Sequence, residues 1–293
     1  MPGGWVAFFL RFPMHISPLL LAALYLTTIA VAQIPDTDRP FHNGPGVFRF
    51  AIVADRTAAP RPGVFEDAVG KVVQLQPEFV FSVGDLIGGY TRDPARAHAE
   101  WDAMESIIGR LPMKFFYVAG NHDISNPEML AVWKERRGDP WYSFVHEKVL
   151  FLILHTEEIQ RGGIGREQAE FVRRTLAEHA DVRWTLVFMH RPLWFYPERQ
   201  GYDAVEAALA GRHYTVFSGH HHQYLKGERQ GMAHYILATC GGKSGLRGPE
   251  YGEFDHITWV TMTDNGPVVV NLALSGIIPH DIVEEQVEPA SGE

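Results

Sequence analysis

Residues 114–123 read KFFYVAGNHD, an apolar run that ends in the tetrad Gly-Asn-His-Asp. The apolar run predicts a buried strand over 114–119. Asn121 is not alone, because four other apolar runs also end in a polar side chain: Asp55, Asp85, His190 and His220. Ligands in open α/β sheets bind at the carboxyl ends of strands, so we expect these five side chains to meet at one edge of a sheet.

Outside these positions the chain alternates between apolar runs and segments with helical spacing of apolar residues. The predicted strands are 48–54, 79–83, 114–119, 149–154, 184–189, 214–218, 235–239, 257–263 and 268–274. The predicted helices are 62–76, 94–108, 165–179 and 202–210. Alternating strands and helices indicate parallel pairing through right-handed crossovers. The dipeptide Asn265-Gly266 indicates a hairpin between the last two strands.

The polar side chains at the strand ends suit a metal centre. Asp, Asn and His supply the oxygen and nitrogen ligands that bind a divalent metal ion, or a pair of them. Two metal ions about 3.5–4 Å apart can hold a hydroxide between them and clamp a phosphoryl group. One carboxylate must then bridge both ions, and Asp85 is the natural candidate. Mixed oxygen and nitrogen ligands suit Mn, Fe and Zn, so the metal stays open.

Three consecutive histidines follow the strand predicted at 214–218. In an extended chain alternate side chains share a face. His220 and His222 are therefore predicted to point together, and His221 is predicted to be structural or to face solvent.

The ordered motifs Gly84-Asp85, Gly120-Asn121-His122-Asp123, His190 and Gly219-His220-His221-His222 resemble the signature of calcineurin-like metallophosphoesterases. The resemblance covers roughly residues 48–224. It implies an α/β fold in which a two-sheet β-sandwich is flanked by helices, giving four αββα layers. It also implies hydrolysis of phosphomonoesters or phosphodiesters by a metal-bound hydroxide.

The resemblance assigns ligands to two metal ions. One metal ion would be held by Asp55, Asp85 and His222. The second would be held by Asp85, Asn121, His190 and His220. His122 would act near the leaving group, as a proton donor or as a stabiliser of developing charge, and Asp123 would orient it through its other ring nitrogen.

The first motif departs from the family pattern. The family has Asp-x-His, whereas this chain has Asp55-Arg56-Thr57. The tyrosine of the purple acid phosphatase branch is also missing, since Gly88 fills its place and Tyr90 comes two residues later. The first metal site therefore lacks a ligand, and its occupancy stays open. Arg56 and Arg191 are candidate contacts for a substrate phosphate.

Composition limits the possible functions. The 293-residue chain has a net charge of −9 and one cysteine, Cys240, so an intramolecular disulfide and a Cys-x-x-Cys metal site are excluded. Lys and Arg form no runs, which disfavours a nucleic-acid-binding module. The expected partner is a small phosphoester, because metal ions can reverse the field of an acidic protein locally. Oligomeric state stays open.

The first residues resemble an export signal. Arg11, a short apolar segment and Ala30-Val31-Ala32 are the parts of a secretory signal peptide, predicted at 1–32. A loose lead-in is predicted at 33–46, the metallophosphoesterase domain at 47–277 and an acidic flexible tail at 278–293. We expect a periplasmic or secreted protein with no stable membrane span after cleavage. The alternative is an uncleaved N-terminal anchor.

Two functions of different classes fit the motifs. The first is a metal-dependent phosphoester hydrolase. The alternative is a degenerate, non-catalytic relative that binds a phosphorylated ligand or a cell-surface partner. The replacement of the family's histidine by Thr57 supports this alternative. The presence of His122 favours the enzyme, because metal binding does not need it. The sequence leaves the substrate open, and does not decide between monoester and diester.

Overall fold

The computed structural model describes residues 43–159, 162–198 and 200–277, together with the single residues 3, 37, 39 and 41. The predicted signal peptide, most of the lead-in and the predicted acidic tail lie outside these residues. The described residues from Gly44 onward form one compact unit. Within the part of the chain that the structure describes, no helix is long and apolar enough to cross a membrane.

A five-stranded sheet contains the first three strands and the last two. Its strands are β1 (Phe48–Val53), β2 (Phe79–Ser82), β3 (Lys114–Phe116), β10 (His256–Thr263) and β11 (Gly266–Ala273). The order is β11-β10-β1-β2-β3, with β1, β2 and β3 parallel and β10 antiparallel to both of its neighbours. Thr263 pairs with Gly266 across the last turn, which confirms the predicted hairpin.

A six-stranded sheet is built from the middle of the chain. Its strands are β4 (Tyr142–His146), β5 (Val149–Ile153), β6 (Trp184–Phe188), β7 (Tyr214–Ser218), β8 (Leu225–Arg229) and β9 (Met232–Ile236). The order is β4-β5-β6-β7-β9-β8. Strands β5, β6, β7 and β9 are parallel, and the two edge strands are antiparallel to their neighbours.

In the described part of the chain, five α-helices cover the outer faces of the sheets. They are α1 (Val64–Leu75), α2 (Pro94–Ile108), α3 (Pro127–Arg137), α4 (Arg166–Glu178) and α5 (Tyr202–Leu209). Helices α1, α2 and α3 pack on the first sheet through residues such as Trp101 and Trp133. Helices α4 and α5 pack on the second through Val172 and Tyr202.

Strand β1 shows how the layers are specified. Successive side chains of a strand point to opposite faces. Phe50 and Ile52 enter the core between the two sheets, whereas Ala51 and Val53 enter the core under the helices. The core between the sheets is rich in phenylalanine, and Phe81 stacks on Phe188 of the other sheet with ring centroids 4.1 Å apart. Helices, two sheets and helices follow one another, so the αββα prediction is confirmed.

Some elements differ from the predictions. Helix α3 and strands β4 and β8 were not predicted. The last predicted strand of the second sheet, 235–239, lies earlier, at Met232–Ile236. Strand β3 ends at Phe116 instead of at 119. The two unpredicted strands are edge strands with mostly half-buried or exposed residues, so they lack the long apolar runs that reveal a buried strand.

Candidate metal centre

The candidate ligands lie at the carboxyl ends of parallel strands in both sheets. Asp55 and Asp85 follow β1 and β2, while His190 and His220 follow β6 and β7. Asn121 lies five residues beyond the end of β3. The site therefore forms where two sheets lie face to face, and not along the edge of one sheet as expected.

The candidate ligands form two groups. The first donor group consists of Asp55, Asp85 and His222, and the second consists of Asp85, His190 and His220. In each group, one ligand atom from every member lies within 4.8 Å of the others. Asp85 belongs to both groups, which is the position that a bridging carboxylate must have.

The second donor group converges on one ring nitrogen. The Nε2 atom of His190 lies 3.0 Å from Oδ1 of Asn121, 3.3 Å from Oδ2 of Asp85 and 3.2 Å from Nδ1 of His220. The other nitrogen, Nδ1, donates to the Val83 carbonyl at 2.8 Å. That bond leaves the lone pair of Nε2 facing the oxygens of Asn121 and Asp85, an arrangement that a cation would stabilise.

The first donor group repeats this arrangement with fewer ligands. His222 donates from Nδ1 to the Lys243 carbonyl at 2.7 Å, and its Nε2 lies 3.5 Å from Oδ1 of Asp55. Oδ2 of Asp55 is buried and has no hydrogen-bond partner among the described residues. Buried carboxylate oxygens are normally paired, so a divalent cation fits here too. Thr57, buried where the family has histidine, donates its backbone N–H to the Asp85 carbonyl at 3.1 Å.

Two glycines allow the carboxylates to approach the neighbouring chain. A Cβ atom on Gly120 would lie 2.3 Å from Oδ1 of Asp85, and one on Gly219 would lie 2.3 Å from Oδ2 of Asp55. Both distances are shorter than any contact that a real Cβ atom makes, so a side chain at either position would clash with the carboxylate. The glycines of the Gly-Asn-His-Asp and Gly-His-His-His motifs are therefore part of the site, because they keep the carboxylate positions open.

The backbone at the triple histidine is not extended. His220 and His222 have φ angles of 72° and 55°, which lie in the left-handed region. The extended backbone predicted at this position is therefore wrong, although His220 and His222 each belong to a donor group. His221 is partly buried, and its Nε2 lies 3.1 Å from the Tyr196 hydroxyl. It belongs to neither donor group.

His122 is held by its ring and by its backbone. Its backbone N–H donates to Oδ1 of Asp85 at 2.9 Å, and its Nδ1 donates to the Gly88 carbonyl at 2.7 Å. The ring packs edge-on against Tyr90, with centroids 4.7 Å apart. The tautomer with the proton on Nδ1 leaves Nε2 as the nitrogen available to a substrate.

Asp123 has a different neighbourhood from the one that the resemblance implied. Its fully buried carboxylate accepts backbone N–H groups at 2.7–3.2 Å, from Asp85, Leu86, Ile87 and Gly120. The Gly88 carbonyl, and not Asp123, orients the His122 ring. Asp123 joins the loop after β2 to the loop after β3, and so fixes Asp85 relative to His122.

The two candidate arginines differ in their position. Arg191 donates from Nε to both oxygens of Glu157, at 2.8 and 3.0 Å, and from Nη1 to Nε2 of His220 at 2.9 Å. It therefore lies directly beside the second donor group. Arg56 donates from Nη1 to the Leu86 carbonyl at 3.3 Å and so braces the loop after β2.

The electrostatics of the centre favour positive charge. Burial acts to lower the pKa of His190, but Asp85 and Asp55 outweigh it and raise that pKa to about 10. Burial acts to raise the pKa of Asp85, but His190 outweighs it and lowers that pKa. Burial and the Asp85 charge raise the pKa of Asp123 to about 6. A cation among these groups would replace the proton that His190 attracts.

Two residues of the site, Tyr90 and Glu157, have roles that the sequence does not reveal. The Tyr90 hydroxyl accepts from Nδ2 of Asn121 at 2.9 Å, which leaves Oδ1 of that amide facing His190. Glu157 holds Arg191 against His220. Neither residue belongs to a recognisable motif. The carbonyls that orient the histidines carry no signal in the sequence either, because every residue has one.

Comparisons with known proteins bear on this geometry. The family described as calcineurin-like phosphoesterase matches residues 48–224. Two curated relatives, from Danio rerio and Bos taurus, are named serine/threonine-protein phosphatase CPPED1 and are each 26% identical to this chain over 61% of its length. The matches span 66% and 65% of those relatives, just under two thirds of their length.

Solved structures share the fold. A purple acid phosphatase from yellow lupin seeds superimposes with a TM-score of 0.60 and 18% identity, over 79% of this chain and 53% of that one. A dimetal phosphatase from Danio rerio superimposes with a TM-score of 0.55 and 16% identity, over 76% of this chain and 98% of that one. At such identities the likeness establishes the fold alone.

Proposed function

The chain belongs to the calcineurin-like phosphoesterase family, and from this premise we propose that it hydrolyses phosphoester bonds with the help of two divalent metal ions. The observation that carries the proposal is the pair of donor groups that share Asp85. A protein that only stored metal would not need ligands of three chemical types from several strand ends. It would also not need His122 beside them.

The residues have separate tasks in this proposal. Asp55, Asp85 and His222 would hold one metal ion, and Asp85, Asn121, His190 and His220 the other. Bound Mn, Fe or Zn would supply Lewis acidity toward phosphoryl oxygens and an activated water. The ligand set suits all three metals, so the metal content of the purified protein decides among them.

His122 and Arg191 would act on the substrate. The Gly88 carbonyl fixes the His122 proton on Nδ1 in the neutral ring, so Nε2 can gain a proton and deliver it to the leaving oxygen. Arg191 lies beside His220 while Glu157 holds its Nε, so it is the better placed of the two candidate arginines to contact a phosphate oxygen.

The alternative function is phosphoester binding without turnover. Its support is Thr57, which leaves the first donor group with three protein ligands. Weak binding of the first metal ion would then leave a site that recognises phosphate but does not activate water. His122 and the complete second group favour hydrolysis.

The test combines metal content with turnover. Residues 33–293 are purified, bound metal is counted by elemental analysis, and hydrolysis is measured with Mn, Zn or Fe. The substrates are p-nitrophenyl phosphate, its bis ester and, because the relatives are named protein phosphatases, a phosphoserine peptide.

His122→Ala should lower kcat by about 10²–10⁴-fold without changing the metal content, since it removes proton transfer alone. His213→Ala, at an exposed histidine outside the site, is the matched control. Metal-loaded wild-type protein that cleaves none of the three substrates would favour the binding alternative.

We also propose that the protein is exported. The support is the sequence of residues 1–32, with its basic start, apolar segment and small-residue end. Expression of the full chain in a bacterium, followed by fractionation and N-terminal sequencing, tests this. A mature protein that starts at Gln33 is expected, and an intact N-terminus in the membrane fraction would support the anchored alternative.

A further inference from the structure

A cavity of about 540 Å³ opens beside the metal centre. Its walls include Ile124, Leu130, Trp141, His155 and Glu158. Ile124 directly follows the Gly-Asn-His-Asp motif. His155 follows β5 in the way that His190 follows the neighbouring strand β6. The cavity is therefore formed at the same carboxyl ends that hold the metal ligands, although none of the ligands lines it.

His155 is the unexplained residue of this cavity. It is only 3% exposed, and its Nδ1 has no hydrogen-bond partner among the described residues. Its backbone is fixed from both sides by Gln168, which accepts from the His155 N–H at 2.8 Å and donates to its carbonyl at 2.9 Å. The His155 side chain is therefore an anchored polar group in the cavity wall, with an Nδ1 atom that no described residue pairs.

The charges around the cavity indicate what kind of ligand fits. Lys134 is paired with Asp139 at 3.0 Å, and Glu157 is paired with Arg191. Glu158 accepts a hydrogen bond from Gln168. An anion would face the carboxylates and a cation would face Lys134. A neutral group with hydroxyls can both donate to Glu158 and His155 and accept from the lysine.

The remaining walls are apolar and suit a ring. Ile124 and Leu130 offer aliphatic surface, and Trp141 offers an aromatic one. Hydroxylated rings have apolar faces that pack on such side chains while their edges make hydrogen bonds. The cavity thus combines an apolar wall with a few polar groups, as ligand pockets generally do.

Glu157 connects the cavity to the metal centre. It lines the cavity and holds Arg191, whose Nη1 donates to His220 of the second donor group. A phosphate beside Arg191 and a ring in the cavity would lie on either side of this one ion pair. The two places are therefore adjacent parts of one binding surface.

We propose that the cavity binds the neutral hydroxylated ring of a substrate alcohol, such as a sugar or cyclitol, whose phosphate lies at the metal centre. This proposal rests on the proposed hydrolase function. It names a subsite for the organic group, which neither the donor groups nor the family resemblance specifies.

The test uses Leu130→Trp, which fills the cavity from helix α3, and His155→Phe, which removes the ring nitrogens at similar size. Leu225→Trp, on the exposed edge strand β8, is the matched control. The substrates are glucose 6-phosphate and methyl phosphate, assayed by phosphate release. Both have alkoxide leaving groups, so they differ mainly in the ring.

Both cavity variants should raise KM for glucose 6-phosphate by about tenfold, the effect of losing one or two hydrogen bonds and their packing. KM and kcat for methyl phosphate and the metal content should stay within about twofold of wild type, the scatter expected of distant substitutions. Equal losses for both esters, or no change for either, would overturn the subsite.

Direct binding separates this proposal from the hydrolase itself. Glucose, myo-inositol, choline and inorganic phosphate are added singly to wild-type protein and to Leu130→Trp, and binding is followed by ligand-observed NMR. Binding of glucose or myo-inositol that is lost in the variant supports the subsite even if no ester is hydrolysed. Absence of binding by both, or a preference for choline at the cavity, overturns it even if hydrolysis is observed.

Discussion

The two donor groups share the Asp85 carboxylate but differ in how deeply their histidines are buried and in how closely their ligand atoms approach one another. In the second group His190 is fully buried, and its Nε2 lies within 3.3 Å of three other ligand atoms. In the first group the His222 side chain is 12% exposed and lies 3.5 Å from Asp55, beside Thr57 instead of a second histidine. The comparison suggests that the chain keeps one four-ligand site whole and relies on a weaker partner site.

The largest expected effect comes from the residue that both groups use. Asp85→Ala should remove both metal ions and lower phosphoester hydrolysis by more than about a thousandfold, because it withdraws the shared ligand and the acceptor of the His122 N–H. Elemental analysis and steady-state kinetics measure the two effects. Asp181→Ala, at an exposed position, is the control. Activity within tenfold of wild type would show that Asp85 does not bridge.

A matched pair of histidine variants tests the asymmetry itself. His190→Ala should weaken the tighter metal site by more than about a hundredfold, beyond the range that losing an outer partner produces, whereas His222→Ala should weaken the other site by about tenfold. Competition calorimetry with Zn measures both affinities, and circular dichroism checks that the buried His190 position tolerates alanine. Equal losses of affinity would mean that the two groups bind metal equally well and that threonine at position 57 does not weaken the first site.

Much of this site followed from the sequence, because strand ends are visible in it. Apolar runs that end in Asp, Asn or His located the side chains that the structure brings together, with His190 the most telling single case. What the sequence could not show is the backbone that surrounds them. The left-handed conformation of Asp85 and His222, and the Gly88 carbonyl on His122, depend on how distant loops pack.

The elements that the sequence does not predict are those in which the periodic pattern of apolar residues is weak. Helix α3 buries Met129, Val132 and Trp133 on one face but carries charged residues on most other positions, so no long apolar pattern marks it. Its start was nevertheless visible, because Asn126 caps it by accepting from the Met129 N–H and Pro127 is the first helical residue. The cavity beside His155 depends on this helix and could not be anticipated without it.

Restoring the family's histidine at position 57 should reduce the difference in metal affinity between the two donor groups. Thr57→His adds an imidazole next to Asp55, so the first metal ion should bind about tenfold more tightly, net of the roughly 1–3 kcal/mol that overpacking a buried site costs. Metal titration followed by elemental analysis measures the change. Thr57→Val has nearly the same shape and no donor, and should leave the affinity unchanged. A weaker first site in Thr57→His would show that this position has lost the room for a ligand.

The smallest expected effect falls on the second group alone. The Tyr90 hydroxyl accepts from Asn121, so Tyr90→Phe removes one hydrogen bond that directs the amide oxygen toward His190. A single such bond contributes about 0.5–1.5 kcal/mol, so metal affinity at the second site should fall about two- to tenfold. The first site should not respond, because Tyr90 touches none of its ligands. Tyr251→Phe, at an exposed tyrosine outside both donor groups, is the control. A loss at both sites would mean that the loop around Tyr90 positions the shared Asp85, and that the two groups differ less in support than their contacts suggest.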